Sequence, residues 1–326
     1  MDSQPQPSSI PSRHFGTSTT FWVFFWVLFV AAAIMGIYLL SIFRYLPWSN
    51  SNARPTIDIA WVIQSNDSAT WYEVTGVNAK PVAHTPLPNM SITGIARGGG
   101  KTFVLALAND LSSTLYEYSG SSYTPLYKSP STLYGLNVSS DGALVTFVSL
   151  DASHTRQILA FIPATKELSA LNPGYGPAVL QTSSVKTIVY LEGNSVMAQS
   201  LLLDNTWTAS TTIYTTKKMF PPLARVASDG KSTFAFTDPF VNTNQLWQAK
   251  SLDPIVVSPL GIFGTSTPNS SLGFLNGGLF FITAPAAGTT TPVSVYFSQL
   301  TPLTHNGQIT IPTSGELHSL ITFISS

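Results

Sequence analysis

Five acidic side chains recur at one kind of position. Asp67, Asp110, Asp151, Glu192 and Asp238 each follow an apolar run of strand type, as in IAWVIQSND and TFAFTD. Gathered carboxylates do two sorts of chemistry. They hold a hard cation such as calcium through oxygen ligands, or two of them divide the acid and base work of glycoside cleavage. Each of these five belongs to a different copy of a repeat, so only tertiary structure can bring them together. Aspartate also favours tight turns by bonding its own backbone, and that plain role is the competing expectation for every one of them.

Other chemistries find less footing. Gly98 to Thr102 (GGGKT) resembles the end of a phosphate-binding loop, but Ile95 stands where that motif needs glycine and TFVLALA then reads as strand rather than helix. No nucleotide is expected. Nucleic acid is excluded on charge: fifteen basic residues balance fifteen acidic ones, charged residues are 9% of the chain, and Lys217 with Lys218 is the one adjacent basic pair. His84, His154, His305 and His318 lack metal-ligand spacing. With no cysteine there is no thiolate ligand, disulfide or cysteine nucleophile. A Gly-x-Ser-x-Gly elbow is missing too, and no catalytic set emerges. The expectation is no cofactor, with calcium the cation that the acidic positions would suit.

The elements that must position these residues are repeats. Apolar strands start at Ile59, Thr102, Leu144, Thr187, Thr233 and Leu279, about every 42 to 46 residues. That period belongs to a β-propeller with four strands per blade. A Ser-Ser-Asp-Gly turn (139–142) precedes one apolar strand, and residues 98–101 and 227–231 fall into register with it. A further strand follows each apolar one, as in ATWYEVTG (69–76) and STLYEYSG (113–120), and an outer strand closes the blade. Six antiparallel four-stranded blades result. Blade one begins directly with its second strand, whereas Leu317 to Ser326 is left over after blade six. The C-terminal segment is therefore expected to supply the innermost strand of blade one and to remove an exposed sheet edge. Loops between second and third strands share one end of such a fold, which would place the five acids on a common face. Trp71, Tyr72, Tyr116, Tyr118, Trp247, Tyr296 and Phe297 fall in third strands, where half should pack between blades.

The turn sequences SSDGA (139–143) and ASDGK (227–231), with GGGK (98–101) as a partial copy, resemble the Ser-x-Asp-Gly-Lys turn of TolB-type and WD-like propeller repeats. The resemblance covers residues 56–326. It implies a protein-binding or scaffolding module of the cell envelope and transfers no catalytic residue.

Ahead of the repeats, residues 1–20 are rich in Pro, Ser and Thr and read as a disordered tail. Phe21 to Phe43 is nearly all apolar and uncharged, long enough at about 1.5 Å per residue to cross a bilayer core of roughly 30 Å. It reads as a single-pass transmembrane helix, followed by a linker at 44–55. The expectation is thus a membrane protein held through residues 21–43, N-terminus inside, with an extracytoplasmic propeller that binds a protein partner. The alternative is a propeller enzyme acting on extracellular carbohydrate.

Overall fold

The computed structural model describes residues 58–323 apart from 65–66, 76–79, 183–184, 223, 266–269, 276–277, 284–292, 301–302 and 312–320. The expected tail (1–20), transmembrane helix (21–43) and linker (44–55) lie outside these residues. Among those described, no helix is long and apolar enough to cross a membrane.

Strands follow one another in a regular meander. The chain opens with β1 (Asp58–Gln64), β2 (Ser68–Thr75) and two short strands, β3 (Val82–Ala83) and β4 (Leu87–Pro88), which both pair with β2. A sheet of β5 (Met90–Gly98), β6 (Lys101–Ala108), β7 (Ser113–Ser119) and β8 (Ser122–Ser129) comes next. The third comprises β9 (Thr132–Val138), β10 (Val145–Leu150), β11 (Arg156–Ile162) and β12 (Glu167–Pro173). In the fourth are β13 (Tyr175–Gln181), β14 (Lys186–Glu192), β15 (Ser195–Leu201) and β16 (Thr211–Thr215). The fifth holds β17 (Ala227–Ser228), β18 (Thr233–Asp238), β19 (Thr243–Leu252) and β20 (Ile255–Thr265). The sixth holds β21 (Ser270–Leu275), β22 (Gly278–Thr283), β23 (Val293–Leu300) and β24 (Leu303–Ile311). Last comes β25 (Ile321–Phe323), which pairs with β1 antiparallel, Ile59 opposite Phe323 and Trp61 opposite Ile321.

The architecture is therefore a β-propeller of six antiparallel sheets, five of them four-stranded, and the first completed by the C-terminal strand as the unmatched ends of the repeat require. The innermost strands β5, β9, β13, β17, β21 and β25 touch in succession, and β25 touches both β21 and β5. The ring is closed by joining the two ends of the repeat. One detail differs from the single outer strand expected of each blade. Blade one instead carries β3 and β4, because proline at 86 and 88 offers no N–H for a continuous ladder.

All six apolar runs form the second strand of a sheet. Their composition follows from burial on both faces, which asks for continuous apolar sequence rather than alternation. Thr102 to Ala106, Val145 to Val148, Thr187 to Leu191 and Thr233 to Phe236 are all buried, whereas the outer strands β8 and β12 are largely open. Phe103, Phe147, Tyr190 and Phe234 fill the space between neighbouring sheets.

The repeated turn is built the same way twice. Asp141 accepts from Ser139 Oγ at 2.6 Å and from the Ala143 amide at 2.9 Å. Asp229 accepts from the amides of Lys231, Ser232 and Thr233. Residues 99–100 make the corresponding turn between β5 and β6, so the glycine-rich GGGK stretch joins two strands, as its register with the other copies indicates.

Candidate functional site

In an antiparallel meander the hairpins between second and third strands, and the links from one sheet to the next, lie at the same end. The five acids stand at this end, yet they do different work. Asp67, Asp110 and Asp151 are exposed. Asp110 accepts from the Ser112 amide and hydroxyl, at 2.9 and 2.6 Å, and those bonds hold its carboxyl below the usual range. Asp151 accepts from the amides of Ser153 and Thr155. Glu192 closes β14, opposite Ser195. Asp238 is only 3% exposed. Its carboxylate takes Tyr214 Oη at 2.6 Å, Thr216 Oγ1 at 2.7 Å and the Phe240 amide at 2.8 Å.

Asp238 is thus a strut rather than a surface charge, tying the outer part of the fourth sheet to a hairpin of the fifth. Burial alone would raise its pKa, but the bonds from Tyr214, Thr216 and Phe240 outweigh that and leave it lowered. The same contact, with burial as the larger cause, pushes the Tyr214 phenol up to about 12. Among the described residues no three His, Asp or Glu side chains are grouped so as to hold a metal ion. The structure gathers the acids on one end without converging them.

Large apolar side chains stand exposed at that same end. They are Leu111, on the hairpin after β6, Met219, on the link between β16 and β17, and Phe240 with Val241, on the hairpin after β18. Lys217 lies over the Phe240 ring, 5.0 Å from its centroid. The link itself is fastened to the hairpin of β14 and β15 by Thr216 N–H to Asn194 O and Phe220 N–H to Gly193 O, each 2.9 Å. Of the third-strand aromatics, Trp71 and Tyr118 are buried core. Trp71 stacks on His84 at 3.5 Å and donates to Tyr123 Oη, which joins the first two sheets. Tyr296 and Phe297 have no described side chains.

A second group lies nearer the axis, and it was not singled out from the sequence. Tyr134 on β9 and Tyr175 on β13 each precede a glycine of positive φ, Gly135 (68°) and Gly176 (60°). Each glycine accompanies a register shift, so that two inner-strand residues oppose one on the neighbour: Gly135 and Leu136 face Phe147, and Gly176 and Pro177 face Tyr190. Such bulges re-aim the side chains beside them. Gly176 also admits the next inner strand, since a Cβ there would stand 2.4 Å from Ala224 O and 2.7 Å from Arg225 Cα. Arg225 is thereby set beside Tyr175, and the Arg156 guanidinium lies 5.7 Å from the Tyr175 ring centroid. The recurring pairs Thr93-Gly94, Tyr134-Gly135 and Tyr175-Gly176, each beside a register shift, were the sequence signal for this bend.

With the architecture described, the comparisons with known proteins can be placed. No protein-family model matches the chain, and no curated protein sequence does. Among solved structures it is similar to TolB from Acinetobacter baumannii, with a TM-score of 0.57 at 12% identity over 83% of this chain and 67% of that one. An uncharacterized protein from Listeria monocytogenes EGD-e aligns with a TM-score of 0.48 at 8% identity, over 83% of this chain and 88% of that one. The class is a TolB-like β-propeller, as the turn motif suggested, and at this identity the likeness is one of fold.

Proposed function

We propose that the chain is a membrane-anchored, extracytoplasmic propeller that serves as a protein-binding or scaffolding module of the cell envelope, held through residues 21–43. The observation that carries this reading is the pairing of Met219, on the link into the fifth sheet, with Phe240 and Val241, on that sheet's hairpin, exposed apolar side chains beside Lys217 at the end where Asp67, Asp110 and Asp151 are also exposed. Contiguous apolar surface with a polar rim marks interaction sites, and Asp238 holds the Phe240 hairpin in advance, which lowers the cost of ordering on binding. The carbohydrate-enzyme reading asks for two carboxyls about 5 to 10 Å apart across a substrate. Asp110 and Asp151 instead each turn one carboxyl oxygen to their own hairpins, and the buried Asp238 carboxylate is taken up by Tyr214, Thr216 and the Phe240 amide.

The test is photo-crosslinking of the full chain in intact cells. A crosslinking side chain at position 240 should trap a protein partner. The same group at 203, an exposed site on the loop between β15 and β16 at the opposite end, should not. Equal trapping at both positions, or at neither, rejects the surface. Anchoring is checked separately: the full chain should stay with membranes through alkaline extraction, and a chain beginning at Ser51 should be soluble. Full-length protein in the soluble fraction would refute the anchor.

A further inference from the structure

We infer that Arg156 and Arg225, with Tyr134 and Tyr175, form a binding site for a carboxylate group at the axial mouth of the propeller, on the end that carries the hairpins. This inference is independent of the partner-binding reading and opposite in charge to the acidic positions around it.

Of the three arginines among the described residues, Arg97 is paired with Glu73 through two bonds of 2.7 and 2.8 Å. The remaining ion pairs of the described residues are Lys101 with Glu117, Lys186 with Asp141 and His84 with Glu73. Arg156 and Arg225 enter none. The fold therefore brings both arginines to the bulge that carries Tyr175, Arg156 over its ring and Arg225 by its backbone against Gly176, with no counter-ion among the described residues.

Each group is fixed from its backbone. The Arg156 carbonyl accepts from the Gly174 amide at 3.2 Å, which ties the start of β11 to the link into β13. The Val226 amide donates to Gly176 O at 3.0 Å, which seats Arg225 against the bulge. Tyr175 donates its hydroxyl to Phe220 O at 2.7 Å, so its ring is held as a platform for Arg156 rather than as a free donor. The positive charges of Arg156 and Arg225 both act on the Tyr134 phenol, against the burial that raises it.

The Arg225 side chain is exposed to solvent and so open to a ligand. Burial pushes both Tyr134 and Tyr175 up, so both stay protonated and uncharged at neutral pH.

The donor set selects the ligand. A guanidinium held against an aromatic ring presents its N–H groups edgewise, in the plane where a carboxylate accepts two parallel bonds. A second guanidinium and the Tyr134 phenol complete the set, and the half-buried Tyr134 ring offers the ligand's carbon body an apolar wall. Carboxylates of this kind come from a small organic acid or from an acidic polypeptide.

Calorimetric titration of the detergent-solubilised full chain at low ionic strength tests the site, with succinate, a tetraglutamate peptide, inorganic phosphate and sodium chloride at matched ionic strength as probes. Saturable binding of succinate supports a small-acid site. Binding of the peptide without succinate supports an acidic chain. Arg225→Gln removes an exposed side chain and should weaken whichever binds by about tenfold or more, with unchanged melting temperature; Arg156→Gln should do the same. The proposal is overturned if neither carboxylate binds above the chloride control, if phosphate alone binds, or if Arg225→Gln leaves the affinity unaltered.

Discussion

Asp238 and Asp141 show how the same residue type serves the fold in two settings. Asp238 is buried and receives three donors from two sheets. Asp238→Ala would strand those donors and should cost about 3 kcal/mol, read as a drop in unfolding free energy. Asp238→Asn keeps an acceptor for Thr216 or the Phe240 amide and should cost less. Asp141 is half open and is held at about 2: burial acts to raise it, but the bonds from Ser139, Ala143 and Lys186 prevail. Both carboxyls are depressed in the folded state. Their contribution is therefore complete above the unfolded pKa near 4 and is lost as pH falls through the folded pKa, which for Asp141 is about 2. For Asp141, solvent screening reduces that contribution to roughly 1 kcal/mol. Asp141→Asn should flatten the acid limb of a stability-versus-pH curve, and an unchanged limb would show that the Lys186 contact is inert.

The inner strands are where glycine matters to an element. Gly176 combines a positive φ with backbone atoms lying where a Cβ would go, whereas Gly100 has a positive φ (73°) and open space around it. Gly100→Ala should cost only the conformational penalty, about 1 to 2 kcal/mol. Gly176→Ala adds a clash with Ala224 and Arg225 and should cost about 3 kcal/mol or more. Equal destabilisation of the two would mean that the fifth sheet simply shifts aside. The closing strand makes a second element-scale prediction. Removing residues 317–326 deletes β25 and bares the inner edge of β1, whose Ala60, Trp61 and Val62 are buried. A loss of about 2 to 3 kcal/mol, or roughly 5 to 10 °C in melting temperature, is expected, together with aggregation through the exposed edge. Unchanged melting would show that the ring does not depend on this strand.

For the molecule as a whole, the period of the apolar runs was enough to determine the sheets, the second strand of each and the pairing of the two ends. These features were legible because they rest on local chemistry: a turn that Asp and Gly build within five residues, a run too apolar to face water, and a repeat count with one strand missing at one end and one spare at the other. The likeness to TolB in fold agrees with that reading. The fate of individual side chains was not legible in the same way. Asp238 and Asp110 occupy corresponding places in the repeat, yet one is buried and the other open, because the fifth sheet's hairpin meets a link, residues 216–226, that brings Thr216 to the carboxylate. Arg156 and Arg225 are 69 positions apart in the sequence and come to the same bulge around Tyr175 because Gly176 bends an inner strand while the ring sets one sheet against the next. Strand formation depends on each segment's own residues, so the sequence by itself determined it; the meeting of charges across sheets depends on how closed, bent neighbours are rotated against one another, which only the tertiary structure decided.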